Sequence, residues 1–477
     1  MNHLHYLASP DRTVEACLIG TGEFGRSFLA QGLRVPSMRA RVAVDRDSAT
    51  AAKAFAAVGV PAADVAVCAT GAEARTAWDA GRFIATGELA VALDLPLDIV
   101  VEATGQPEAG ARHARMAIEA GKHLALVSKE VDSVAGPGLA HLARQSGLVV
   151  TPIDGDQPSL LIDLVTWAER LGFTIVAAGK SSEYDFVHDE RDGTITSNGR
   201  TIDAPGLAEL WQLGDTEVAV FMDRRSKAVA ALPQRTVPDL CELLLVANAT
   251  DLVPDRPDLH APIARISEIP TVFATREDGG LMSGVGRIDV FNCLRRRDEI
   301  SFAGGVFVVI RCDHAETWRV LEAKGHIVSR TGATALVYTP RHLLGLEAAT
   351  SILSAALRGV STGADIPEPR FDLMARADTD LPVGTMLAAV GHHHTIANVS
   401  GLAMPGTRLG PDAPVPYYLA ANRRLARAVF RGTFITSDDL ELTGDSALLK
   451  LRHYQDCAFF GESGRAVKHV NVHEPLG

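Results

Sequence analysis

A glycine-rich turn near the start of the chain has the spacing of a dinucleotide-binding loop. Gly20-Thr21-Gly22-Glu23-Phe24-Gly25 follows an apolar, β-rich run and opens a helical pattern. In such a loop the first glycine permits a tight turn, the second lets a pyrophosphate approach the backbone, and the third allows close helix packing. Free N–H groups at the helix start would face the anion. We therefore expect all six residues of the turn to contribute to a cofactor site.

Two charged residues after the second predicted strand bear on the choice of cofactor. Asp45 lies about 20 residues beyond Gly25, where an acidic side chain would bond a ribose hydroxyl. Its charge would repel a 2′-phosphate and favours NAD, whereas Arg46 could pair with that phosphate and accommodate NADP. The residues leave this choice open. The structural alternative is that the glycines serve only a strand–helix turn and that Asp45 caps the next helix.

Two lysines are candidates for chemistry on a bound substrate. Hydride transfer to a carbonyl leaves a developing alkoxide, so the site needs a cation or a proton donor near that oxygen. Lys129 follows a predicted strand, at the sheet edge where open α/β sheets bind ligands, and Lys180 follows another strand. If the two lysines are close, each should lower the pKa of the other, which favours proton transfer. A solvated surface position is the alternative for both.

Further polar residues lie close to these lysines or on neighbouring segments. Asp156 and Gln157 precede Pro158 at a predicted helix start, where Asp156 could act on the substrate or simply cap the helix. We expect Asp156 to be catalytic. The expected substrate-binding residues are Gln157, Ser181, Glu183 and Asn248. For Asn248, and for His260, a buried structural hydrogen bond is the competing interpretation.

The chain offers no clear metal signature, and we expect no metal site. His392-His393-His394 is the most suggestive run, but adjacent residues on a strand point to alternating faces and cannot all reach one ion. A surface or assembly role is the simpler interpretation of this run. The six cysteines are far apart and form no C-x-x-C pair, which argues against zinc and against a disulfide framework.

The apolar pattern predicts an α/β fold with three domains. Short β-rich runs at 14–20, 41–45, 98–103, 123–127 and 148–153 alternate with helical segments, as in consecutive βαβ units. We expect a Rossmann domain at 1–151, an α+β catalytic and oligomerisation domain at 152–377, and a small β-rich domain at 378–477. A helix is predicted over 342–357, ending at Gly359, whereas 191–276 shows little clear periodicity.

Composition restricts the classes of partner. The formal net charge of −12 disfavours nucleic acid and anionic membrane surfaces as main partners. The N-terminus lacks the order of a signal peptide, and no apolar stretch approaches the length of a membrane span. We expect a cytoplasmic enzyme whose partner is a small-molecule substrate.

Several segments resemble homoserine-dehydrogenase-like oxidoreductases with a C-terminal SAF domain, a group that includes the 1-deoxy-D-xylulose 5-phosphate reductoisomerase-like enzymes. In the first domain the likeness lies in Glu102-Ala103-Thr104-Gly105 and Ser128-Lys129-Glu130. Further along it lies in residues 155–158, 177–180, 246–250 and 338–343, and at the end in Arg431-Gly432-Thr433 and Asp438-Asp439-Leu440. The resemblance implies cofactor contacts from Ala103, Thr104, Gly105 and Ser128, slightly favours NADP, and suggests a homo-oligomer, either a dimer or a tetramer.

The leading interpretation is therefore an NAD(P)-dependent oxidoreductase that moves hydride between nicotinamide and a small polar hydroxy or carbonyl compound. A reductoisomerase of a phosphorylated ketose, such as 1-deoxy-D-xylulose 5-phosphate, is the alternative among enzymes, and it would normally need a divalent ion. A non-catalytic sensor that binds NAD(P) is the alternative from another class. The positions of the two lysines discriminate between an enzyme and a sensor. Both lysines beside the nicotinamide would favour an enzyme, because a sensor does not need them there.

Overall fold

A parallel sheet forms the centre of the N-terminal domain in the computed structural model, which describes residues 3–8, 12–311, 314–391, 394–442 and 444–461. Its strands are β1 (Val14–Ile19), β2 (Met38–Val44), β3 (Val65–Val67), β4 (Phe83–Thr86), β5 (Ile99–Glu102), β6 (His123–Leu126) and β7 (Val150–Pro152). They run in the order β3-β4-β2-β1-β5-β6-β7, and each pairing is parallel. The chain leaves β1 towards β2 and returns to β5. The carboxyl ends of β1 and β5 therefore flank a topological switch point, where such sheets bind ligands.

Helices cover this sheet because the strands are apolar on both faces. They are α2 (Glu23–Gly32), α3 (Ser48–Ala57), α4 (Gly71–Asp79), α5 (Pro107–Glu119) and α6 (Lys129–Gln145), and a single helical turn, α1 (His3–Tyr6), precedes β1. Helix α2 buries Phe24, Phe28 and Leu29 against the sheet. Helix α6 is kinked at Ala135, two residues before the internal Pro137, since proline disfavours helical backbone in the residues before it.

The middle domain is built on a mixed nine-stranded sheet. Its strands are β8 (Thr174–Ser181), β9 (Phe186–Asp189), β10 (Thr194–Ser197), β11 (Arg200–Asp203), β12 (Val253–Pro254), β13 (Ile263–Ala264), β14 (Arg287–Arg296), β15 (Val306–Arg311) and β16 (Thr334–Thr339). Seven run in the order β11-β10-β9-β14-β8-β15-β16, and β12 and β13 pair with β14. The helices are α7 (Gln157–Arg170), α8 (Val218–Ala228), α9 (Val237–Ala249), α10 (Ile269–Val272), α11 (Ala315–Ala323) and α12 (Ala348–Leu353). Helices α7 and α9 pack against each other and against this sheet.

The C-terminal region is rich in short strands and turns. It contains β17 (Phe371–Ala377), β18 (Ala389–Val390), β19 (Thr395–Ile396), β20 (Val399–Pro405), α13 (Tyr417–Ala420) and α14 (Ala447–Phe459). Strand β17 pairs antiparallel with β20, so the division expected at residue 378 falls between two paired strands. Helix α14 packs on α5 and α6. This region therefore shares a core with the N-terminal domain.

The α/β fold class with a Rossmann-like N-terminal domain is confirmed, whereas the helix predicted over 342–357 is wrong in its first half. Residues 342–347 are not helical and include a turn at 344–346, and α12 begins only at Ala348. Gly345 has a φ of +78°, and its backbone packs so closely on α2 that a Cβ would lie 3.0 Å from the Phe24 carbonyl oxygen. A left-handed residue at this position ends a right-handed helix. No helix within the described residues is long and apolar enough to cross a membrane.

Candidate active site

A cleft of about 340 Å³ opens at the carboxyl ends of β1, β5 and β6, where the three regions meet. Its lining residues are Gly22, Glu23, Phe24, Gly25, Ala103, Thr104, Gly105, Val127, Ser128, Lys129, Glu130, Asp156, Gln157, Lys180, Glu183, Thr236, Pro238, Asp239, Cys241, Glu242, His342, Leu344, His394 and Tyr418. The glycine turn lies on one side of the cleft, and titratable side chains of the middle domain lie on the other. The two sides differ in how they present polar groups.

The three glycines of the turn differ in their steric surroundings. Gly20 has a φ of +90°, and a Cβ there would lie 2.5 Å from the carbonyl oxygen of Ala103, so the turns after β1 and β5 touch. A Cβ on Gly25 would lie 2.3 Å from the carbonyl oxygen of Gly20. A Cβ on Gly22, in contrast, would meet nothing within 4 Å. Gly20 and Gly25 are therefore required by the fold, whereas Gly22 borders open space.

The start of α2 leaves backbone donors for a ligand. Among the hydrogen bonds of the described residues, none uses the amide N–H of Gly22, Glu23 or Phe24. These groups point past the helix N-terminus, where the helix dipole favours negative charge. The open space at Gly22 and the unbonded amides together fit a diphosphate.

Asp45 is committed to the turn itself. Its carboxylate accepts hydrogen bonds from the Thr21 amide at 2.8 Å and from the Thr21 hydroxyl at 2.6 Å. The amide of Arg46 bonds its other oxygen at 2.8 Å. Asp45 thus holds the glycine turn in shape, and Arg46 is exposed beside it. Gly20, Thr21, Asp45 and Arg46 support the cleft without being part of its lining.

The turns after β5 and β6 complete the cofactor side. Ala103, Thr104, Gly105 and Ser128 all line the cleft. The Gly105 amide donates to the Ser128 hydroxyl at 2.8 Å, which ties the two turns together. The Thr104 amide and hydroxyl bond the buried carboxylate of Glu102. The cleft-lining residues of these two turns therefore form one surface.

The other side of the cleft holds a cluster of opposite charges. The carboxylate of Glu242 bridges the ammonium groups of Lys129 and Lys180, each through one oxygen. Lys180 also donates to Asp239 at 2.9 Å, and Lys129 lies 3.3 Å from Asp156. The Lys180 side chain is only 2% exposed, whereas that of Lys129 is 26% exposed. Lys129 therefore presents its ammonium to the cleft, and Lys180 is buried behind Glu242.

The charge of Lys129 does lower the pKa of Lys180, but the expectation that both lysines have lowered pKa values is wrong, because nearby carboxylates outweigh this effect. Burial alone would lower the pKa of Lys129, but the charges of Asp156 and Glu242 outweigh it and hold that pKa well above its usual value. Burial is likewise outweighed at Lys180, whose pKa is raised by Asp239 and Glu242. Burial would raise the pKa of Glu242, yet the two lysines lower it. At neutral pH the lysines are cations and Glu242 is an anion.

The structure brings together some of the expected substrate-side residues. Asp156 caps α7 by accepting from the Gln157 amide at 2.9 Å, and its carboxylate also lies 3.3 Å from the Lys129 ammonium. Gln157 and Glu183 line the cleft. Ser181, Asn248 and His260 do not. The Ser181 hydroxyl bonds the Ser182 carbonyl. The Asn248 side chain bonds the Phe371 backbone, and the His260 ring bonds the Asp289 carboxylate.

Two carboxylates of the cluster, Asp239 and Glu242, were missed in the sequence. They lie three residues apart on α9, whose other residues are mostly apolar, Val237-Pro238-Asp239-Leu240-Cys241-Glu242-Leu243-Leu244-Leu245. Residues at this spacing share a helix face. Two acidic groups on one face of an otherwise buried helix were the available signal, because buried carboxylates need partners.

The C-terminal region also contributes to the cleft, which the sequence did not indicate. His394 bonds Glu130 at 2.8 Å and packs so closely that a Cβ on Gly105 would lie 2.5 Å from its ring. The Glu130 carboxylate raises the pKa of His394. Tyr418 lines the cleft as well, and burial raises the pKa of its hydroxyl. The first two residues of the histidine run, His392 and His393, lie outside the described residues.

No group of three or more histidine, cysteine, aspartate or glutamate side chains within the described ranges is arranged to hold a metal ion. In the cleft the lysine ammonium groups occupy the space between Asp156, Asp239 and Glu242. The two lysines thus balance part of the negative charge of these carboxylates.

One family model matches the middle of the chain. Residues 155–348 match the family described as oxidoreductase DRL, catalytic domain, which is less than half of the chain. The matched segment contains Lys180, Asp239 and Glu242, and it supports an oxidoreductase. A search of curated proteins finds no match.

Several solved structures are similar to parts of this chain. Biliverdin reductase from Synechocystis sp. PCC 6803, in complex with biliverdin and NADP+, is 18% identical, with 36% of this chain and 47% of that chain covered and a TM-score of 0.24. GenD2 from gentamicin A biosynthesis, in complex with NAD, is 15% identical, with 74% and 88% covered and a TM-score of 0.36. DOX-P reductoisomerase with fosmidomycin and magnesium is 21% identical, with 36% and 46% covered and a TM-score of 0.27. This chain spans about half the length of the first and third of these proteins. The TM-scores are too low for these likenesses to bear on fold or substrate.

Proposed function

We propose that this protein is an NAD(P)-dependent oxidoreductase that transfers hydride between a nicotinamide cofactor and a small polar hydroxy or carbonyl compound. The observation that carries the proposal is the single cleft that joins unbonded amides at the start of α2 to the Lys129–Glu242–Lys180 cluster. The family match over residues 155–348 agrees with this chemistry. When bound, the nicotinamide would supply or accept the hydride.

The residues of the cofactor side have a binding role in this proposal. The amides of Gly22, Glu23 and Phe24 would hold the diphosphate. Ala103, Thr104, Gly105 and Ser128 would contact the nicotinamide half, and Asp45 would fix the turn through Thr21. The NAD or NADP preference depends on whether Asp45 and Arg46 repel or pair with a 2′-phosphate, and the family resemblance slightly favours NADP.

Lys129 is the residue we propose to act on the substrate oxygen. Its ammonium has three N–H donors, of which Glu242 and Asp156 engage two, and its side chain reaches the cleft. Because its pKa is raised, Lys129 would stabilise a developing alkoxide as a fixed cation and hydrogen-bond donor. Lys180 would position Glu242, which in turn positions Lys129. Asp156 would orient Lys129 from the start of α7.

The alternatives have less support. A non-catalytic sensor does not need two lysines in the cleft, yet both Lys129 and Lys180 line it. A reductoisomerase of a phosphorylated ketose would need groups that bind a phosphate and a divalent ion, and the lining residues that the structure describes include no arginine. We also retain as proposals that residues 378–477 form an SAF-like module, that the chain is related to homoserine dehydrogenases, and that it forms a cytoplasmic homo-oligomer. Light scattering of the purified chain tests the oligomer.

The test of the proposed function has two steps. Calorimetric titration with NAD, NADH, NADP and NADPH measures cofactor binding and preference. Absorbance of the reduced nicotinamide then follows turnover with a panel of small hydroxy and carbonyl compounds. We expect binding and turnover with one cofactor pair. Binding without any turnover would support the sensor, and absence of binding to all four forms would refute the proposal.

A further inference from the structure

Resting on the proposed function, we infer that the substrate is an uncharged, polyhydroxylated carbonyl compound or alcohol, whose hydroxyl groups are recognised by Gln157 and His342. Phosphate esters and carboxylates are excluded by the charge of the cleft. Two independent features of the cleft point to this substrate class: polar atoms on the substrate side lack partners among the described residues, and the lining residues carry an excess of negative charge.

Gln157 has a buried acceptor with no partner. The residue is 5% exposed and lines the cleft at the start of α7, but its Oε1 atom makes no hydrogen bond with any described residue. Leaving a buried carbonyl oxygen without a donor is unfavourable, because the oxygen has lost its hydrogen bonds to water. A substrate hydroxyl would satisfy it by donating its proton, whereas an ionised phosphate or carboxylate oxygen can only accept.

His342 adds a second unsatisfied atom at the same place. Its Nδ1 atom is buried and has no partner among the described residues. A Cβ built on Gly304 would lie 2.1 Å from this Nδ1 and 3.2 Å from the Gln157 side-chain nitrogen, so both side chains border Gly304. A hydroxyl both donates and accepts, and it can therefore bond either tautomer of the ring.

The Gly304 turn connects this pocket to the charged cluster. It leads directly into β15, whose first residue, Val306, pairs with Lys180. Gln157 follows Asp156, which lies 3.3 Å from Lys129. A compound that places its reacting oxygen at Lys129 would therefore extend its neighbouring hydroxyl groups towards Gln157 and His342.

The charge balance disfavours an anionic substrate. Among the described lining residues there are six carboxylates and two lysines, an excess of four negative charges before the histidines are counted. The carboxylates are Glu23, Glu130, Asp156, Glu183, Asp239 and Glu242. A bound dinucleotide would add the negative charge of its diphosphate. Like charges in a cleft with low-dielectric walls repel strongly, so a further anion would bind poorly.

The reaction balances without any additional reactant. In the reducing direction the substrate carbonyl carbon accepts hydride from the reduced nicotinamide while the Lys129 ammonium stabilises the forming alkoxide, and the oxygen then takes a proton from solvent. In the oxidising direction the carbon gives hydride to the oxidised nicotinamide, and the hydroxyl proton leaves to solvent. The hydroxyl groups at Gln157 and His342 do not react.

The first test compares matched substrates. Uncharged sugars and alditols of three to six carbons are assayed beside their terminal phosphate esters and aldonic acids, with both cofactor pairs, in EDTA and again with Mg²⁺. We expect kcat/KM for the best uncharged compound to exceed that of its charged forms by about 100-fold or more, without a requirement for Mg²⁺. A charged form that reacts better, with or without Mg²⁺, overturns the inference and leaves the proposed oxidoreductase intact. Turnover of no compound despite cofactor binding refutes the proposed function instead.

The second test identifies the hydroxyl contacts. In Gln157→Leu and His342→Phe, kcat/KM for the best substrate should fall about tenfold, with unchanged cofactor affinity. The control is Gln145→Leu, because Gln145 is exposed at the end of α6. Deoxy analogues of the substrate are then assayed with each variant. A residue that reads a hydroxyl should lose its discrimination between substrate and one deoxy analogue. Variants that slow all analogues equally would show a merely structural role and contradict the assignment.

Discussion

The two sides of the cleft reach their polar groups in opposite ways. The cofactor side presents backbone amides at the start of α2, and it requires small residues at fixed positions and the Thr21–Asp45 hydrogen bonds that hold the turn. The substrate side presents buried side-chain charges from α6, β8 and α9, which are held in place by one another. Backbone donors are fixed by the fold itself, whereas each charged side chain of the cluster is held in place by its charged partners. We therefore expect the cofactor side to tolerate substitution where space is open and the substrate side to tolerate almost none.

The largest expected effect is on stability, at Lys180. Lys180→Met leaves Asp239 and Glu242 buried with only Lys129 as a cation, and we expect the free energy of unfolding to fall by about 3–5 kcal/mol. Urea denaturation measures the change. Lys227→Met is the control, because the Lys227–Asp223 ion pair is exposed and should contribute less than about 0.5 kcal/mol. A similarly small loss of unfolding free energy in both variants would show that the buried cluster stabilises the protein no more than an exposed ion pair. This result would contradict the expected difference between the two sides of the cleft.

The next effect is on catalysis, at Lys129. Lys129→Met should lower kcat by about 100-fold or more, because the developing alkoxide loses its cation. Cofactor affinity should change by no more than about twofold, since the amides of α2 hold the diphosphate. Lys53→Met, at an exposed position on α3, serves as the control. A variant with normal kcat would show that the cluster holds the fold together and takes no part in chemistry.

The glycine turn offers a matched pair of smaller effects. Gly25→Ala should destabilise the protein by about 1–3 kcal/mol, because its Cβ would meet the Gly20 carbonyl oxygen. Gly22→Ala should leave stability unchanged, since its Cβ enters open space, but weaken dinucleotide binding by about tenfold. Thermal unfolding and calorimetric titration of both variants check this. Equal cofactor affinity in Gly22→Ala and the unaltered protein would argue against a diphosphate at this turn.

The smallest effect is a pH-dependent one at His394. Glu130 raises the pKa of His394, so their contact stabilises the fold fully below the unperturbed value of 6.5 and loses that contribution as pH rises through the higher folded pKa. His394→Gln should therefore cost up to about 1 kcal/mol at pH 6 and close to nothing at pH 9. The exposed His453 provides the control variant, His453→Gln. A cost that is the same at both pH values would show that the charge of His394 does not matter.

The contrast between the two sides also explains what the sequence could and could not predict. The turn from Gly20 to Gly25 and Asp45 are close along the chain, and their spacing alone indicates a strand–turn–helix with an acidic residue after the next strand. The position of Lys129 after a strand was predictable for the same reason. Glu242 is 113 residues from Lys129, and no local pattern joins them. Because the carboxylates on α9 were missed, the pKa of both lysines was expected to shift in the wrong direction.

His394 and His342 show a second limit of sequence reasoning. Both enter the cleft from segments whose local pattern predicted something else, a surface run in one case and a helix in the other. In each case a glycine makes room, Gly105 for His394 and Gly304 for His342. The sequence shows these glycines, but only the tertiary structure shows which side chain fills the space.

A crystal structure of the protein with its preferred dinucleotide tests the central claim most directly. We predict the diphosphate on the amides of Gly22, Glu23 and Phe24, and the nicotinamide ring on the side of the cleft that holds Lys129. A diphosphate bound away from the start of α2, or a nicotinamide ring that faces away from Lys129, would contradict the proposal that this cleft carries out hydride transfer.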